Sequence, residues 1–400
     1  MKPNRNLTIT GLGIAQTLAW ASSYYLPAML ATSMARDLGI GTPTVFLGFS
    51  LALVVSALLG PLAGQLIDRY GGRPVLTANS LVFAASLAAM ACAQGPVSLF
   101  LAWALLGVAM AAGLYEAAFA ALVHLYGKDA RGAITGITLF AGFASTVGWP
   151  LSAWLELEWG WRTACMTWAG LHLFLGLPLN WLLPTRASAD AGTAGNDTPL
   201  PAQDTARDDA VDASHAARTG MLLALVFAVT WFISTAMAAH LPRLLQAQGV
   251  PLATALLFAG LVGPAQVAGR LLEYGLLRNI HPLVSARVAG ALHTVGAMAF
   301  LFVGVPAGAV FTVLHGAGNG VLTIAKGTLP LALFGTRGYG ARQGLLMVPA
   351  RFAQALSPWL FGVVLDRYGA NALWFSAALG LVAFAALMAM RDVSSRSAPA

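Results

Sequence analysis

Charge is what this chain most lacks. Of its 400 residues 9% are charged, against about 25% in soluble proteins, which excludes a soluble globular class. Acids are scarcer than bases, 15 Asp and Glu against 22 Lys and Arg, for a formal charge of +7. That excess does not point to nucleic acid, because the basic residues lie in short segments between apolar stretches, the pattern that orients membrane proteins. The two cysteines, Cys92 and Cys165, both fall inside apolar stretches. A disulfide framework or a zinc site is therefore not expected, nor is any metal or cofactor. The chain has no Gly-Lys-Ser/Thr phosphate loop, no paired catalytic carboxylates and no nucleophile–base set. No enzyme activity is expected, and no nucleotide site on this chain drives its work.

What it has is apolar length. Hydrophobic residues make up 58% and mean hydropathy is +0.74. Apolar stretches of about 20 residues, enough to cross a bilayer, recur roughly twelve times. The spans read as 7–31, 44–67, 75–94, 97–125, 133–155 and 163–183, then 221–241, 252–272, 286–305, 307–333, 344–365 and 370–390. Lys2 and Arg5 before an apolar run resemble a signal peptide, but 7–31 is long enough to span and reads as the first helix. Residues 184–220 are rich in Ala, Thr, Asp, Pro and Ser and hold Asp190, Asp197, Asp204, Asp208, Asp209 and Asp212. Such a segment cannot bury enough surface to fold alone. The organisation expected is a six-helix bundle over 1–183, a flexible cytoplasmic linker over 184–220 and a second six-helix bundle over 221–400.

Orientation follows from Lys and Arg. With the N-terminus inside, the inner segments hold Lys2, Arg5, Arg69, Arg73, Lys128, Arg131, Arg186, Arg207, Arg218, Arg278, Arg287, Arg337, Arg342, Arg391 and Arg396. The outer loops hold only Arg36, Arg162, Arg243 and Arg367. Both termini are expected in the cytoplasm.

The stretch Gly64-Gln65-Leu66-Ile67-Asp68-Arg69-Tyr70-Gly71-Gly72-Arg73 is a tight turn between spans 2 and 3. It resembles the G-x-L-x-D-R-x-G-R/K-R/K signature that the major facilitator superfamily carries at this place. Gly64, Leu66, Asp68, Arg69, Gly71 and Arg73 fit; Gly72 stands where a basic residue is more usual. The halves echo each other, since Gly269-Arg270-Leu271-Leu272-Glu273 ends span 8 as Gly64 to Asp68 end span 2. Gly160-Trp161-Arg162 before span 6 is also common in the superfamily. The resemblance implies an all-α integral membrane fold of twelve transmembrane helices in two parallel six-helix repeats.

Few charges remain within the spans: Glu116, Arg270, Glu273, Lys326 and Arg351. Each is a functional candidate, because a charge at membrane depth costs a few kcal/mol or more. Arg270 and Glu273, spaced i, i+3, are expected to pair at one end of span 8. With Gly64, Asp68, Arg69, Gly71 and Arg73 they form the expected gating set, by resemblance to acids that hold a gate closed. The resemblance also implies that spans 1, 4, 7 and 10 line a central cavity. Span 10 carries His315, Asn319 and Lys326 within about 40° of one face. Span 1 carries Gln16, Trp20 and Tyr24, with Ser23 and Pro27, on one face. These residues and Arg351 are the expected substrate-binding set; helix packing is the alternative for each. Glu116 is the sole acid deep in a span, and with His240 it is the candidate for proton coupling; a structural pair with a base is the alternative. His172 and His293 read as packing residues.

The function expected is secondary active transport: a small anionic or polar solute, monocarboxylate-like, moved across the inner membrane by proton-coupled alternating access. The partners are that solute, protons and the lipid bilayer, and the chain is expected to be a monomer. The alternative is an efflux pump for a drug or a metalloid. A receptor or assembly factor that kept the fold without transporting is a rival of a different class.

Overall fold

The computed structural model describes residues 5–185, 208–277 and 280–390. Most of the expected linker, with Arg186 and Arg207, lies outside the described residues, as do Lys2, Arg278, Arg391 and Arg396. The helices in chain order are α1 Arg5–Ser22, α2 Leu26–Asp37, α3 Thr42–Tyr70, α4 Gly72–Ala91, α5 Pro96–Gly113, α6 Tyr115–Tyr126, α7 Ala130–Ala141, α8 Ala144–Leu171 and α9 Leu177–Trp181. In the second half they are α10 Asp208–Ala247, α11 Leu252–Gly260, α12 Val262–Leu272, α13 Pro282–Val303, α14 Gly308–Phe334, α15 Tyr339–Tyr368 and α16 Ala372–Ala389. Among the described residues there is no strand.

Among the described residues, eight helical stretches are long and apolar enough to cross a membrane. Two of these, Pro96–Trp181 and Tyr339–Ala389, each run through more than one expected span. Gly160 lies inside α8 at φ 82° and Gly369 follows α15 at φ 53°. A glycine has no Cβ to oppose that left-handed backbone, so the chain turns there between spans 5 and 6 and between spans 11 and 12. Large apolar side chains face outward: Val97, Leu157, Phe174, Leu182 and Phe302 are 73, 79, 84, 76 and 74% exposed. Gln16, Arg270, Glu273, Lys326 and Arg351 are buried. A chain solvated by hydrocarbon places its side chains in this order.

The structure corrects the sequence reading at three places. Span 1 is not one helix: α1 ends at Ser22 and α2 begins at Leu26. Pro27, at the start of α2, has no N–H to give back to the preceding turn, and Tyr25 N–H instead reaches Trp20 O at 3.1 Å. Span 4 is likewise broken at Leu114, which is extended at φ −87° and ψ −169°. Finally, the last part of the expected linker, from Asp208 onward, is helical and begins α10. Ala210, Ala213, Ala216 and Ala217 supply the strongest helix propensity of any residue type, which the polar composition concealed.

Arg69, Arg73, Arg131, Arg337 and Arg342 lie where α3 ends and α4, α7 and α15 begin; we call this the basic end. Here the halves of the chain meet closely. Gly340 N–H and Ala341 N–H donate to the two Asp68 oxygens at 2.8 and 2.9 Å, so Asp68 of α3 caps the N-terminus of α15. Above this cap the backbones touch. A Cβ on Gly64 would overlap the Gly340 carbonyl, and one on Gly344 would come within 2.7 Å of Pro61 Cα. The paired spacings Gly60-x-x-x-Gly64 and Gly340-x-x-x-Gly344 permit the contact. At the opposite end the ion pairs Arg162–Asp37 and Arg243–Asp366 each join elements of one half.

Asp68→Asn removes a charge-assisted cap, a loss of about 1.5–3 kcal/mol, and Gly64→Val pushes α3 off α15. Spin labels across the basic end, one on α3 and one on α15, should report longer distances in both variants than in the wild type. Unchanged distances in both would remove the cap and the glycine crossing as latches.

Candidate functional site

The break at Leu114 turns one span into two short helices whose ends face each other across an unwound residue. The Gly113 carbonyl it frees is taken by Gln16 Nε2 at 2.7 Å, and Asn79 Nδ2 adds a bond to the Ala109 carbonyl inside α5 at 3.0 Å. Glu116 then stands in the first turn of α6, where the helix dipole favours a carboxylate. Its partner is Arg351, near the middle of α15. Arg351 donates to Glu116 Oε2 at 2.9 Å and to Gln354 Oε1 at 3.0 Å. The two side chains are 3% and 13% exposed, so the pair joins the halves of the chain at depth. A small cavity beside it is lined by Ser56, Ala57, Gly60, Ala111, Glu116, Gly344, Met347 and Arg351.

Lys326 of α14 approaches the same centre. Its Nζ lies 3.8 Å from the centroid of the Trp231 ring and has no hydrogen-bond acceptor among the described residues. The Arg351 guanidinium is 5.7 Å from that ring. Trp231 also stacks on Trp20, with centroids 6.1 Å apart and planes 7° apart. Tyr24 packs edge-on to Trp20 and reaches Thr235 Oγ1 at 3.3 Å. An indole face is attractive to a cation but supplies less than an acceptor atom or a counter-charge. The centre is therefore an aromatic wall with two bases and one acid, the acid engaged by Arg351.

Of the residues expected from sequence, Trp20, Tyr24, Glu116, Lys326 and Arg351 come together here. Others do not. Gln16 turns toward the Gly113 carbonyl in a separate cavity of the first half. His315 points toward α13, where its Nδ1 lies 3.0 Å from His293 Nδ1; His293 Nε2 is 2.6 Å from Ser376 Oγ. Lys326 follows His315 by eleven residues, and although only about 20° separates them on the helix wheel, three turns of rise put them in different packing layers. Asn319 is half-buried, and its carbonyl takes the Thr323 hydroxyl at 2.8 Å. His240 bonds the Pro358 carbonyl at 2.7 Å, near the end away from the basic one.

The gating set is also rearranged. Arg270 and Glu273 do not pair with each other. Glu273 accepts from Arg131 at 2.8 Å, and Arg270 donates to the Thr138 carbonyl at 2.8 Å, so both reach from the end of α12 across to α7. The spacing leaves the two side chains neighbours on the helix, but each has a partner on α7 instead. Arg69 and Arg73 lie over the rings of Tyr70 and Trp181, and Gly71 ends α3 at φ 82°. Trp231 and Arg131 are not among the site residues expected from the sequence. For Trp231 a signal exists: a tryptophan in mid-span, away from the interfaces where the residue usually concentrates.

The Major Facilitator Superfamily family model matches residues 12–313. The chain belongs to the Major Facilitator Superfamily. Within it, an uncharacterized 38 kDa protein in a 23S RNA operon of Thermoproteus tenax is 31% identical over 369 residues, 91% of this chain and 90% of that protein. The multidrug resistance protein MdtH of Salmonella typhi is 30% identical over 158 residues, 38% of this chain and 39% of MdtH. Among solved structures, the human organic anion transporter MFSD10 (TETRAN) aligns at TM-score 0.69 and 18% identity, covering 96% of this chain and 100% of that one. FucP in its outward conformation aligns at TM-score 0.71 and 13% identity, covering 96% and 99%. These likenesses establish the superfamily fold for the chain as a multi-pass integral membrane protein.

Removing one member of a buried ion pair leaves the other charge uncompensated, at a cost of about 3–5 kcal/mol. Glu116→Gln should therefore lower thermal stability markedly, and Glu116→Gln with Arg351→Met should recover part of the loss. Melting of the two single variants and the double variant in detergent measures the coupling; strictly additive losses would show that the pair has none.

Proposed function

We propose that this superfamily member is a secondary active transporter of a small anionic solute, bound between Lys326, Arg351 and the Trp20–Tyr24–Trp231 wall. The observation that carries the reading is Lys326: a buried amine with an indole face but no acceptor atom among the described residues. A cation so placed is costly until an anion reaches it, and a carboxylate relieves that cost. Arg351 adds a planar, two-pronged donor suited to the same group, in exchange for Glu116. The similarity to a human organic anion transporter agrees with this reading.

Glu116 is the proton carrier in this scheme. When it takes a proton, Arg351 is released to the solute, so solute and proton are coupled through one guanidinium. Alternating access follows from the latches: Asp68–α15 and Arg131–Glu273 close the basic end, here read as cytoplasmic with both termini on that side of the inner membrane. The solute then enters from the other end, where the ion pairs stay within each half. Residues 1–183 and 221–400 act as the two rocking bundles around a monomer's single site. Efflux of a toxic compound is the second reading, favoured by the stretch of similarity to MdtH.

Counterflow in proteoliposomes, scored over carboxylates and lipophilic drugs with a pH-sensitive dye inside, tests the function. Carboxylates should exchange and carry protons. Lys326→Met and Arg351→Lys should each weaken carboxylate binding at least tenfold while the protein stays folded. Exchange of drugs alone would move the reading to efflux, and no exchange of any solute would move it to a non-transporting role.

A further inference from the structure

A second polar cavity lies wholly within the first half of the chain, between α1, α4, α5 and the segment from His172 to Asn180. Gln16, Asn79, Ser80, Gly113, His172 and Asn180 line it, and it has room for one water or one small ion. None of the described residues lining it is charged. Gln16 is 2% and Asn180 8% exposed, and Gln16 Oε1 and Asn180 Oδ1 have no hydrogen-bond partner among the described residues. A buried amide oxygen left unpaired costs about 1–3 kcal/mol, so two in one cavity call for a ligand.

The orientation of both amides is set by their nitrogens. Gln16 Nε2 donates to Gly113 O at 2.7 Å; Asn180 Nδ2 donates to Ser80 Oγ at 3.0 Å and Leu76 O at 3.3 Å. Turning either amide over would set its oxygen against a carbonyl oxygen. Ser80 spends its hydrogen on Leu76 O, and His172 Nε2 is engaged by Ser22 Oγ at 2.8 Å. The wall thus presents acceptors while the Asn180 and Ser80 donors are already used. The C-terminal end of α5 meets the same cavity at Gly113, and the broken helix gives that end its partial negative charge. A water would donate to the two oxygens and accept the second hydrogens of Gln16 Nε2 and Asn79 Nδ2, so it is the competing occupant. A desolvated cation needs acceptors alone, and neutral oxygens with a half-helix end are the donor set that suits a monovalent ion. A divalent ion would require carboxylates.

We propose that this cavity binds Na⁺, held by Gln16 Oε1 and Asn180 Oδ1 at the broken end of α5. The site is independent of the solute reading, because it lies inside one half and does not use Lys326 or Arg351. Through the Leu114 break it adjoins Glu116, so an ion here is positioned to bias the same span that carries the acid.

Binding of radioactive Na⁺ to the purified full chain, without any solute, tests the site directly. Wild-type protein should bind Na⁺ displaceably, and its melting temperature should rise saturably with NaCl relative to choline chloride at equal ionic strength. Gln16→Leu and Asn180→Val should each lose at least nine-tenths of that response. Absence of displaceable Na⁺ binding by the wild type, or equal melting in NaCl and choline chloride, would overturn the proposal and leave a water as the occupant. A folded Gln16→Leu that keeps the full Na⁺ response would overturn it equally. If the variants do not fold, the wild-type binding measurement decides alone, and neither result bears on whether Lys326 and Arg351 bind a carboxylate.

Discussion

The Glu116–Arg351 ion pair is the constraint around which the centre of this protein is arranged. It joins α6 to α15 at 2.9 Å in a place that water hardly reaches. Two charges at that depth cost several kcal/mol each to desolvate, and only good geometry with further hydrogen bonds repays it. Gln354 supplies one such bond, and the start of α6 supplies a favourable dipole for the carboxylate. Because the acid is committed to Arg351, Lys326 is left with the Trp231 ring alone. The excess of positive charge at the centre is thus a consequence of the pair.

One break in one helix produces two polar sites. At Leu114 the backbone is extended, and hydrocarbon offers nothing to the freed carbonyls. Gln16 takes the Gly113 carbonyl on the α5 side, which draws an amide group into a cavity of the first half. On the other side α6 starts afresh and carries Glu116 toward the second half. An unbroken helix would have bonded its own Gly113 carbonyl and left Gln16 without that partner.

The two ends of the bundle are held differently. At the basic end, Asp68 caps α15, Arg131 meets Glu273, and four glycines let α3 and α15 touch backbone to backbone. At the other end the ion pairs tie each half to itself. A carboxylate on a helix N-terminus is a reversible contact, since both partners have water or other polar groups to fall back on at the membrane surface. Glycine contacts of this kind bring dispersion attraction without a side chain that must be disentangled.

The sequence by itself determined that this is a membrane protein, and that the turn from Gly64 to Arg73 resembles the signature of the Major Facilitator Superfamily. Hydropathy and short motifs are local quantities, and a bilayer makes local apolar length decisive. It also brought forward Trp20, Tyr24, Glu116, Lys326 and Arg351, because a charge or polar face within a span has few inexpensive places to go. What tertiary structure alone decided is which of these meet. Helical spacing put His315 beside Lys326, but a neighbour on α13 captured the imidazole. It put Arg270 beside Glu273, but a helix from the other half claimed each of them. Gln16 went to a carbonyl that is free only because a helix three spans along is broken in that place in the folded chain. Pairing depends on the distance between elements far apart in sequence, and no periodicity within one helix contains that distance.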